Sequence, residues 1–183
     1  MKLTIAIIFG GTNTEHEVSI VSARSIISNL DKSKYNVQPI KISKTSQWFI
    51  PNPLTADIDH KNWIETNPFQ ILNQTDIIFP VLHGPYGEDG TIQGLFETMR
   101  KPYVGCSTLA SAMCMDKVIQ KQLTDSVGIQ SAKFIYFSKH QWQQDQNQWT
   151  NKVITKINFP CFVKPANQGS SVGVSKVREI NNL

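Results

Sequence analysis

The chain has 183 residues, 40% of them apolar, and its 18 basic and 14 acidic side chains give a net charge of +4. This length suits one or two domains with a sizeable hydrophobic core. The positive excess is dispersed and forms no arginine-rich helix, so small anionic ligands are expected and nucleic acid is not. No window is long and apolar enough to span a membrane, and the early apolar run is too short for a signal peptide.

The cysteines bear on the compartment. Cys106, Cys114 and Cys161 are odd in number and lack the spacing of a metal site. Reduced thiols are therefore expected, and with them a cytoplasmic location.

The first predicted element is a buried parallel strand at residues 5–9, followed by Gly10 and Gly11 and then by an apolar helical stripe ending at Leu30. Such a strand, turn and helix start presents backbone donors to a ligand. Glu15, however, stands where a dinucleotide-binding fingerprint needs its third glycine. A carboxylate there favours a cationic group such as the ammonium of an amino acid. The alternative is that Glu15 and Glu17 are ordinary acids of a first helical turn.

The next strands are predicted at 37–42 and 47–50, and the proline-rich residues 51–68 indicate a connecting excursion. A strand at 76–82 follows and ends at His83.

His83 is the second candidate for a site residue, because ligands of α/β sheets bind beyond the carboxyl ends of the strands. Glu15 and His83 are therefore expected along the same rim. The alternative for His83 is a loop histidine satisfied by backbone groups. The loop that follows is spaced by Gly84, Gly87 and Gly90 and leads into an apolar helical stripe that ends at Met99, then a short strand at 103–104.

Further elements are predicted in the rest of the chain. A helix containing Met115 and Leu123 is closed by Gly128, strands are expected at 134–137 and 161–163, and the Gln- and Asn-rich residues 141–150 indicate a solvated helix or loop.

A candidate phosphate loop lies near the end of the sequence. Lys164 ends an apolar strand, and Gly169, Ser170 and Ser171 then turn the chain back into residues 172–174. Backbone N–H groups of such a turn converge on an anion, hydroxyls add donors and the lysine adds a charge. The alternative is a polar hairpin with a surface lysine.

Strands and helices alternate up to about residue 107, which predicts an α/β fold with a doubly wound, mostly parallel sheet. The domains are accordingly predicted at 1–107 and 108–183.

Five motifs in this order resemble the amino-terminal half of the bacterial D-alanine–D-alanine ligases of the ATP-grasp superfamily. They are GGTNTEHEVS, HGPYGEDGTIQGLFE, PYVG, MDK and FVKPANQGSSVGVSK. The resemblance implies that residues 1–107 are a pre-ATP-grasp domain on the substrate side and that residues 108–183 begin an ATP-grasp α+β lobe.

The resemblance also implies residue roles. Glu15 is similar to the family's glutamate that holds the ammonium of the first D-alanine, and His83 to the histidine beside that substrate's carboxylate. Ser170 matches the serine of a mobile loop that reaches towards the glutamate, so Glu15 and Ser170 are the implied catalytic residues. The implied ATP-binding residues are Lys117, Lys164, Gly169, Ser170 and Ser171.

The implied activity is ATP-dependent joining of two D-alanines through an acylphosphate, for peptidoglycan precursors, in a homodimer formed through the amino-terminal domain. The second substrate stays open among D-alanine, D-lactate and D-serine. The family's Mg²⁺ ligands are expected in a carboxy-terminal half beyond residue 183, so the chain is expected to be a fragment that is inactive alone.

Two alternatives remain. One is a Rossmann-type nucleotide-binding enzyme that uses Gly10 and Gly11 as its phosphate turn, although this leaves Lys117 and Lys164 unexplained. The other is a non-catalytic module that dimerises or interacts through its first domain.

Overall fold

The computed structural model describes residues 2–183, and its main feature is a five-stranded sheet. The strands are Leu3–Gly10 (β1), Tyr35–Ile42 (β2), Trp48–Pro51 (β3), Trp63–Glu65 (β4) and Ile77–Pro80 (β5). Their order is β4-β3-β2-β1-β5, and β1 is parallel to both β2 and β5. The chain continues from β1 to β2 on one side of it, and β5 is added later on the other side. This reversal of direction opens a crevice at the carboxyl end of β1.

The central strand β1 is buried on both faces, and its side chains alternate between them. On one face Ile5, Ile7 and Phe9 pack with apolar residues of the helix His16–Asn29 (α1). On the other face Ala6 and Ile8 pack with apolar residues from two further helices, Pro68–Asn73 (α2) and Thr91–Thr98 (α3). This arrangement confirms the predicted α/β class with a mostly parallel sheet.

The starts of α2 and α3 follow from local sequence. The Asn67 side chain caps α2 by accepting hydrogen bonds from the N–H groups of Phe69 at 2.9 Å and Gln70 at 3.3 Å. Gly90 precedes α3 with a φ of +91°, which L side chains rarely adopt. A Cβ at this position would also clash with the Thr108 carbonyl oxygen, so both the backbone conformation and the available space require glycine.

The edge of the sheet differs from the prediction. Residues 51–68 were expected to be only a connecting excursion, yet they contain β4, which pairs antiparallel with β3. Trp63 holds this short strand, because its ring meets Phe9 edge-on at 6.0 Å and the Lys41 ammonium lies 4.5 Å from its centroid. Burial at this position lowers the pKa of Lys41. Three residues are too few to show the alternation by which sequence identifies a strand.

The chain divides into two compact units between Met113 and Cys114, within the helix Thr108–Met115 (α4). The domain boundary predicted at 107/108 stays a prediction.

The second unit is built of short elements. Its helices are Lys117–Ser126 (α5), Lys139–Gln144 (α6) and Gln146–Lys152 (α7), followed by a π-helical segment at Val153–Ile157 and a 3₁₀ turn at Ile180–Asn182. The strands Cys161–Val163 (β6) and Ser175–Val177 (β7) form an antiparallel pair. Val153, Cys161 and Val177 are its buried apolar cluster. Along residues 2–183 no helix has both the length and the apolar character needed to cross a membrane.

The strand predicted at residues 134–137 is wrong: in the part of the chain that the structure describes, these residues pair with no other strand. Phe137 instead packs against the rings of Trp142 at 5.3 Å and Trp149 at 5.0 Å. Ser138 then caps α6 through a capping box, so the chain turns into a helix immediately. Local aromatic contacts and a strong cap therefore outweigh strand propensity here.

Two other boundaries are corrected. The helix predicted to contain both Met115 and Leu123 is two helices, because Asp116 accepts hydrogen bonds from Val118 N–H at 2.8 Å and Ile119 N–H at 3.1 Å and so begins α5. The returning strand predicted at residues 172–174 begins at Ser175, after two turns closed by bonds from Val172 N–H to Gly169 and from Val174 N–H to Ser171.

We expect the two units to differ in local stability. The first has two large buried clusters around β1, whereas the second buries a small cluster beneath a two-stranded sheet. Hydrogen exchange on the 183-residue chain should therefore be slow at residues 5–9 and 77–82 and fast at residues 169–174. Equal protection of these segments would contradict this account of the fold.

Candidate functional site

The carboxyl ends of β1 and β5 are joined by a buried serine of α1. The Gly10 N–H donates to Ser19 Oγ at 2.8 Å, and the Ser19 hydroxyl donates to the Val81 carbonyl at 2.5 Å. His16 adds a contact from Nδ1 to the Gly11 carbonyl at 2.6 Å. These bonds hold the first turn of α1 against both strands, so the loops beyond them start from a rigid rim.

Glu15 lies on this rim, at the residue before α1. Its carboxylate Oε2 rests against the backbone of Gly84, in the space that a Cβ at position 84 would occupy. Gly84 has a φ of +66°, so the loop after β5 approaches Glu15 in a conformation that suits glycine. The Glu15 carboxylate therefore faces the loop that follows β5.

His83 comes to the same rim. Its Nε2 lies 3.2 Å from Ser22 Oγ, and its Nδ1 lies 3.9 Å from a carboxylate oxygen of Glu88. The ring thus contacts side chains, unlike the backbone-satisfied histidine considered as the alternative. The same Glu88 accepts a 2.7 Å hydrogen bond from Gly84 N–H. The expectation that Glu15 and His83 share one edge of the sheet agrees with this geometry, while their chemical roles stay predictions.

Asn13 is a rim residue that the sequence did not single out. Its Oδ1 accepts a hydrogen bond from Glu15 N–H at 2.8 Å, and its Nδ2 donates to the carbonyls of His83 at 2.6 Å and Pro85 at 2.7 Å. An Asn whose side chain accepts from the N–H two residues later, just before a helix, signals the local turn. The two partners some 70 residues away carry no sequence signal.

The loop between β5 and α3 is stabilised from within. The Asp89 carboxylate accepts from Tyr86 N–H at 2.8 Å and from Thr91 N–H at 3.0 Å. Burial raises the pKa of Asp89, but these donors outweigh it and leave the pKa below its usual value. Gln93 Nε2 donates to the Gly87 carbonyl at 2.9 Å. Acidic residues of this loop thus shape its backbone.

In the second unit, Lys117 begins α5 and holds the candidate phosphate loop. Its ammonium donates to the carbonyls of Gln168 and, at 3.4 Å, Ala166, and its own N–H bonds the Ala166 carbonyl at 3.1 Å. The lysine expected to contact phosphate therefore lies at the base of the loop, bound to loop backbone.

Lys164 follows β6 and lies on one face of the hairpin. Its ammonium is 5.9 Å from the centroid of the exposed Phe162 ring, and the ammonium of Lys176 is 6.0 Å from the same ring. Residues 114–183 contain nine Lys and Arg against four Asp and Glu, whereas residues 1–113 contain nine against ten. The positive excess, which was expected to be dispersed along the chain, thus lies in the unit that contains the phosphate loop.

The loop itself has an unusual backbone. Ser170 and Ser171 have φ values of 47° and 61°, a left-handed conformation that is uncommon for serine, and Val172 N–H closes the turn onto the Gly169 carbonyl at 2.9 Å. Gly173 approaches the Pro165 ring so closely that a Cβ would strike it. Strained residues of this kind cluster at ligand-binding turns, and Gly169, Ser170 and Ser171 remain predictions for that role.

A metal site fits poorly with the side chains present. Among residues 2–183, no group of three or more His, Cys, Asp or Glu comes close enough together to hold a metal ion. The predicted residues themselves divide between the units: Glu15 and His83 belong to the first, and Lys117, Lys164 and the Gly169–Ser171 turn to the second.

An α/β unit with a carboxylate at its switch point, and a cationic unit with a lysine-flanked loop, are the features that the resemblance to the ATP-grasp ligases implies. Family models for the N-terminus and the C-terminus of D-ala D-ala ligase match residues 4–106 and 123–183. The chain belongs to the D-alanine–D-alanine ligase family.

Relatives and solved structures agree. The D-alanine–D-alanine ligase of Caldicellulosiruptor bescii is 41% identical across the whole of this chain, and that of Heliobacterium modesticaldum is 41% identical across 96% of it. The crystal structure of the VanG D-Ala:D-Ser ligase from Enterococcus faecalis matches 98% of this chain with a TM-score of 0.81 and 34% identity, covering 56% of that structure. The Bacillus anthracis D-alanine–D-alanine ligase complexed with ATP matches 97%, with a TM-score of 0.70 and 31% identity, covering 50% of that structure.

The chain spans about half the length of the curated relatives it matches, 55% for C. bescii and 53% for H. modesticaldum. These relatives and structures are named as ligases, and none of their names indicates a Rossmann-type dinucleotide-binding enzyme.

Proposed function

We propose that the chain supplies the first D-alanine site and the phosphate loop of an ATP-dependent D-alanine–D-alanine ligase that makes a peptidoglycan precursor. The observation that carries the proposal is the placement of Glu15 and His83 on adjoining loops at the switch point of the sheet, with the Glu15 carboxylate against Gly84, the residue after His83. These two groups suit the opposite ends of a small amino acid.

The first D-alanine binds with its ammonium on the Glu15 carboxylate and its carboxylate near the His83 ring. Glu15 suits this role because its carboxylate faces the adjoining loop. Gly84 leaves the space that the carboxylate occupies, and Asn13 holds the backbone of both loops.

ATP binds to the second unit. In the reaction, a carboxylate oxygen of the first D-alanine attacks the γ-phosphorus, the bond to the bridging oxygen breaks and ADP leaves, giving an acylphosphate. The amine of the second D-alanine then attacks the acyl carbon and releases phosphate. Lys117 and Lys164 contact the ATP phosphates, and Lys164 offsets the charge on the transferring phosphoryl group. Lys117 also holds the loop backbone through the Ala166 carbonyl. Gly169, Ser170 and Ser171 cover the phosphates and exclude water.

Magnesium is the further cofactor proposed for the ligase, because phosphoryl transfer depends on a divalent cation. The residues 2–183 offer no cluster that suits it, and we assign no magnesium ligand to them.

We also propose that the ligase works in the cytoplasm, supports cell shape through its product, and forms a homodimer through the amino-terminal domain. The compartment is supported by the odd number and the spacing of Cys106, Cys114 and Cys161, none of which is in a disulfide within residues 2–183. Exposed apolar side chains in the first unit, among them Val18 and Val21 on α1, support the dimer.

The test is made on the complete gene product, given D-alanine and ATP. It should release ADP and phosphate and form D-alanyl-D-alanine. Glu15→Gln should raise the KM for the first D-alanine about 10- to 100-fold, because a hydrogen bond to a charged group contributes about 1.5 to 3 kcal/mol, and should leave the KM for ATP within about twofold.

Glu17→Gln is the matched control, since Glu17 is exposed and pairs with Lys44 at 3.1 Å, two residues from Glu15. That variant should behave like the parent protein. If Glu15→Gln raised the KM for D-alanine and the KM for ATP equally, Glu15 would have a structural role only. If the parent protein formed no dipeptide, the proposed function would be rejected.

A further inference from the structure

We propose that Asn13 is a positioning residue that sets the separation between Glu15 and His83. It thereby matches the rim to the distance between the ammonium and the carboxylate of a small amino acid. The identity of that substrate rests on the proposed function, whereas the positioning itself can be measured without it.

The geometry of the amide carries the inference. Its oxygen accepts from the backbone N–H of Glu15 at 2.8 Å, so it acts on the loop after β1. Its nitrogen donates to the His83 carbonyl at 2.6 Å and the Pro85 carbonyl at 2.7 Å, so it acts on the loop after β5. One half-buried side chain thus satisfies three backbone groups of two loops that are far apart in sequence.

The amide group of Asn13 matches all three partners. The Asn side chain offers one acceptor and two donor hydrogens, and here the acceptor and both donors are engaged. An aspartate at position 13 would keep the acceptor for Glu15 N–H but would turn an oxygen towards two carbonyl oxygens.

The hydrogen bonds of Asn13 join the two loops, whereas other contacts join the strands. Ser19 already joins β1 to β5 at the buried level, through Gly10 N–H and the Val81 carbonyl. Asn13 lies further along these loops than the Ser19 hydrogen bonds, where the Glu15 carboxylate contacts the backbone of Gly84. A shift of residues 83–85 would therefore move His83 and the surface on which Glu15 rests, and misplacement by about 1 Å can cost about 100-fold in rate.

The experiment compares Asn13→Asp with Asn29→Asp in the complete gene product. Asn29 is a matched control because its Nδ2 also donates to a carbonyl, that of Ser25 at 2.8 Å, but on the exposed side of α1. Asn13→Asp should raise the KM for the first D-alanine more than about 10-fold while the KM for ATP stays within about twofold. Asn29→Asp should change neither. Asn13→Ala, which removes the donors without adding a charge, should act in the same direction and decides the matter if the aspartate variant does not fold.

A second measurement uses the 183-residue chain and needs no substrate. In nuclear magnetic resonance spectra, Asn13→Asp and Asn13→Ala should shift the His83 ring signals together with the amide signals of Glu15 and Gly84, and Asn29→Asp should leave all of them in place. Unchanged His83 and Glu15 signals, or equal KM changes for D-alanine and ATP, would overturn the inference. A parent protein that forms no dipeptide would reject the proposed function, and these spectra would still decide the role of Asn13.

Discussion

Replacing Gly84 with alanine should raise the KM for D-alanine about 100-fold or more in the complete gene product. The new Cβ would enter the space held by the Glu15 carboxylate, so Glu15 must leave its position. Because φ at this residue is +66°, the alanine also adopts a left-handed conformation that costs about 1 to 2 kcal/mol. A misplaced ammonium ligand accounts for the kinetic loss. The measurements are the KM for D-alanine, the KM for ATP and urea unfolding.

Gly105→Ala separates the two causes. Gly105 belongs to the same unit and has a φ of +135°, and a Cβ there meets nothing within 4 Å. This control should lose stability through its backbone alone and keep the KM for D-alanine. If Gly84→Ala lost stability without a change in that KM, the contact between Glu15 and Gly84 would have no part in substrate binding.

Replacing Lys164 with alanine should weaken ATP binding about 10- to 100-fold, since one charge-assisted phosphate contact contributes about 1.5 to 3 kcal/mol. The lysine follows β6 directly and lies beside the exposed Phe162 ring, in the unit that holds the positive excess of the chain. Affinities for ATP and adenosine, measured by calorimetry on the complete gene product, distinguish a phosphate contact from a general loss. ATP should weaken and adenosine should not.

Lys139→Ala provides the control for charge. Lys139 is an exposed lysine at the start of α6, so its removal changes the net charge of the same unit equally. This variant should keep the ATP affinity of the parent protein to within about twofold, because salt screens the interaction of a distant exposed charge with ATP. Unchanged ATP affinity in Lys164→Ala would remove Lys164 from the phosphate site.

Local sequence was sufficient for the main strands and for the candidate rim. The apolar run of β1 and the glycines after it predicted a buried parallel strand at the switch point, and β1 lies between β2 and β5. The same rule, that carboxyl ends of parallel strands meet at one edge, predicted Glu15 and His83 along the same rim. The chain reversal after Lys164 was likewise predicted from the few residues around it.

Where prediction failed, distant or competing contacts decided the structure. β4 depends on the packing of Trp63 against Phe9, and no alternation within three residues could show it. Residues 134–137 had strand propensity, but Phe137 packs against Trp142 and Trp149. The helix break at Asp116 was readable from its capping chemistry, although the apolar periodicity across it favoured one continuous helix.

The sequence by itself determined the α/β class, the family motifs and the chemical types of the site residues, because these depend on periodicity and on residues close together in the chain. Only the tertiary structure decided the contacts that give the rim its spacing. Asn13 bonds the carbonyls of His83 and Pro85, the Glu15 carboxylate rests on Gly84, and Lys117 holds the backbone at Ala166 and Gln168. Each joins segments about 50 to 70 residues apart, and such pairs meet only when the strands and helices between them have packed.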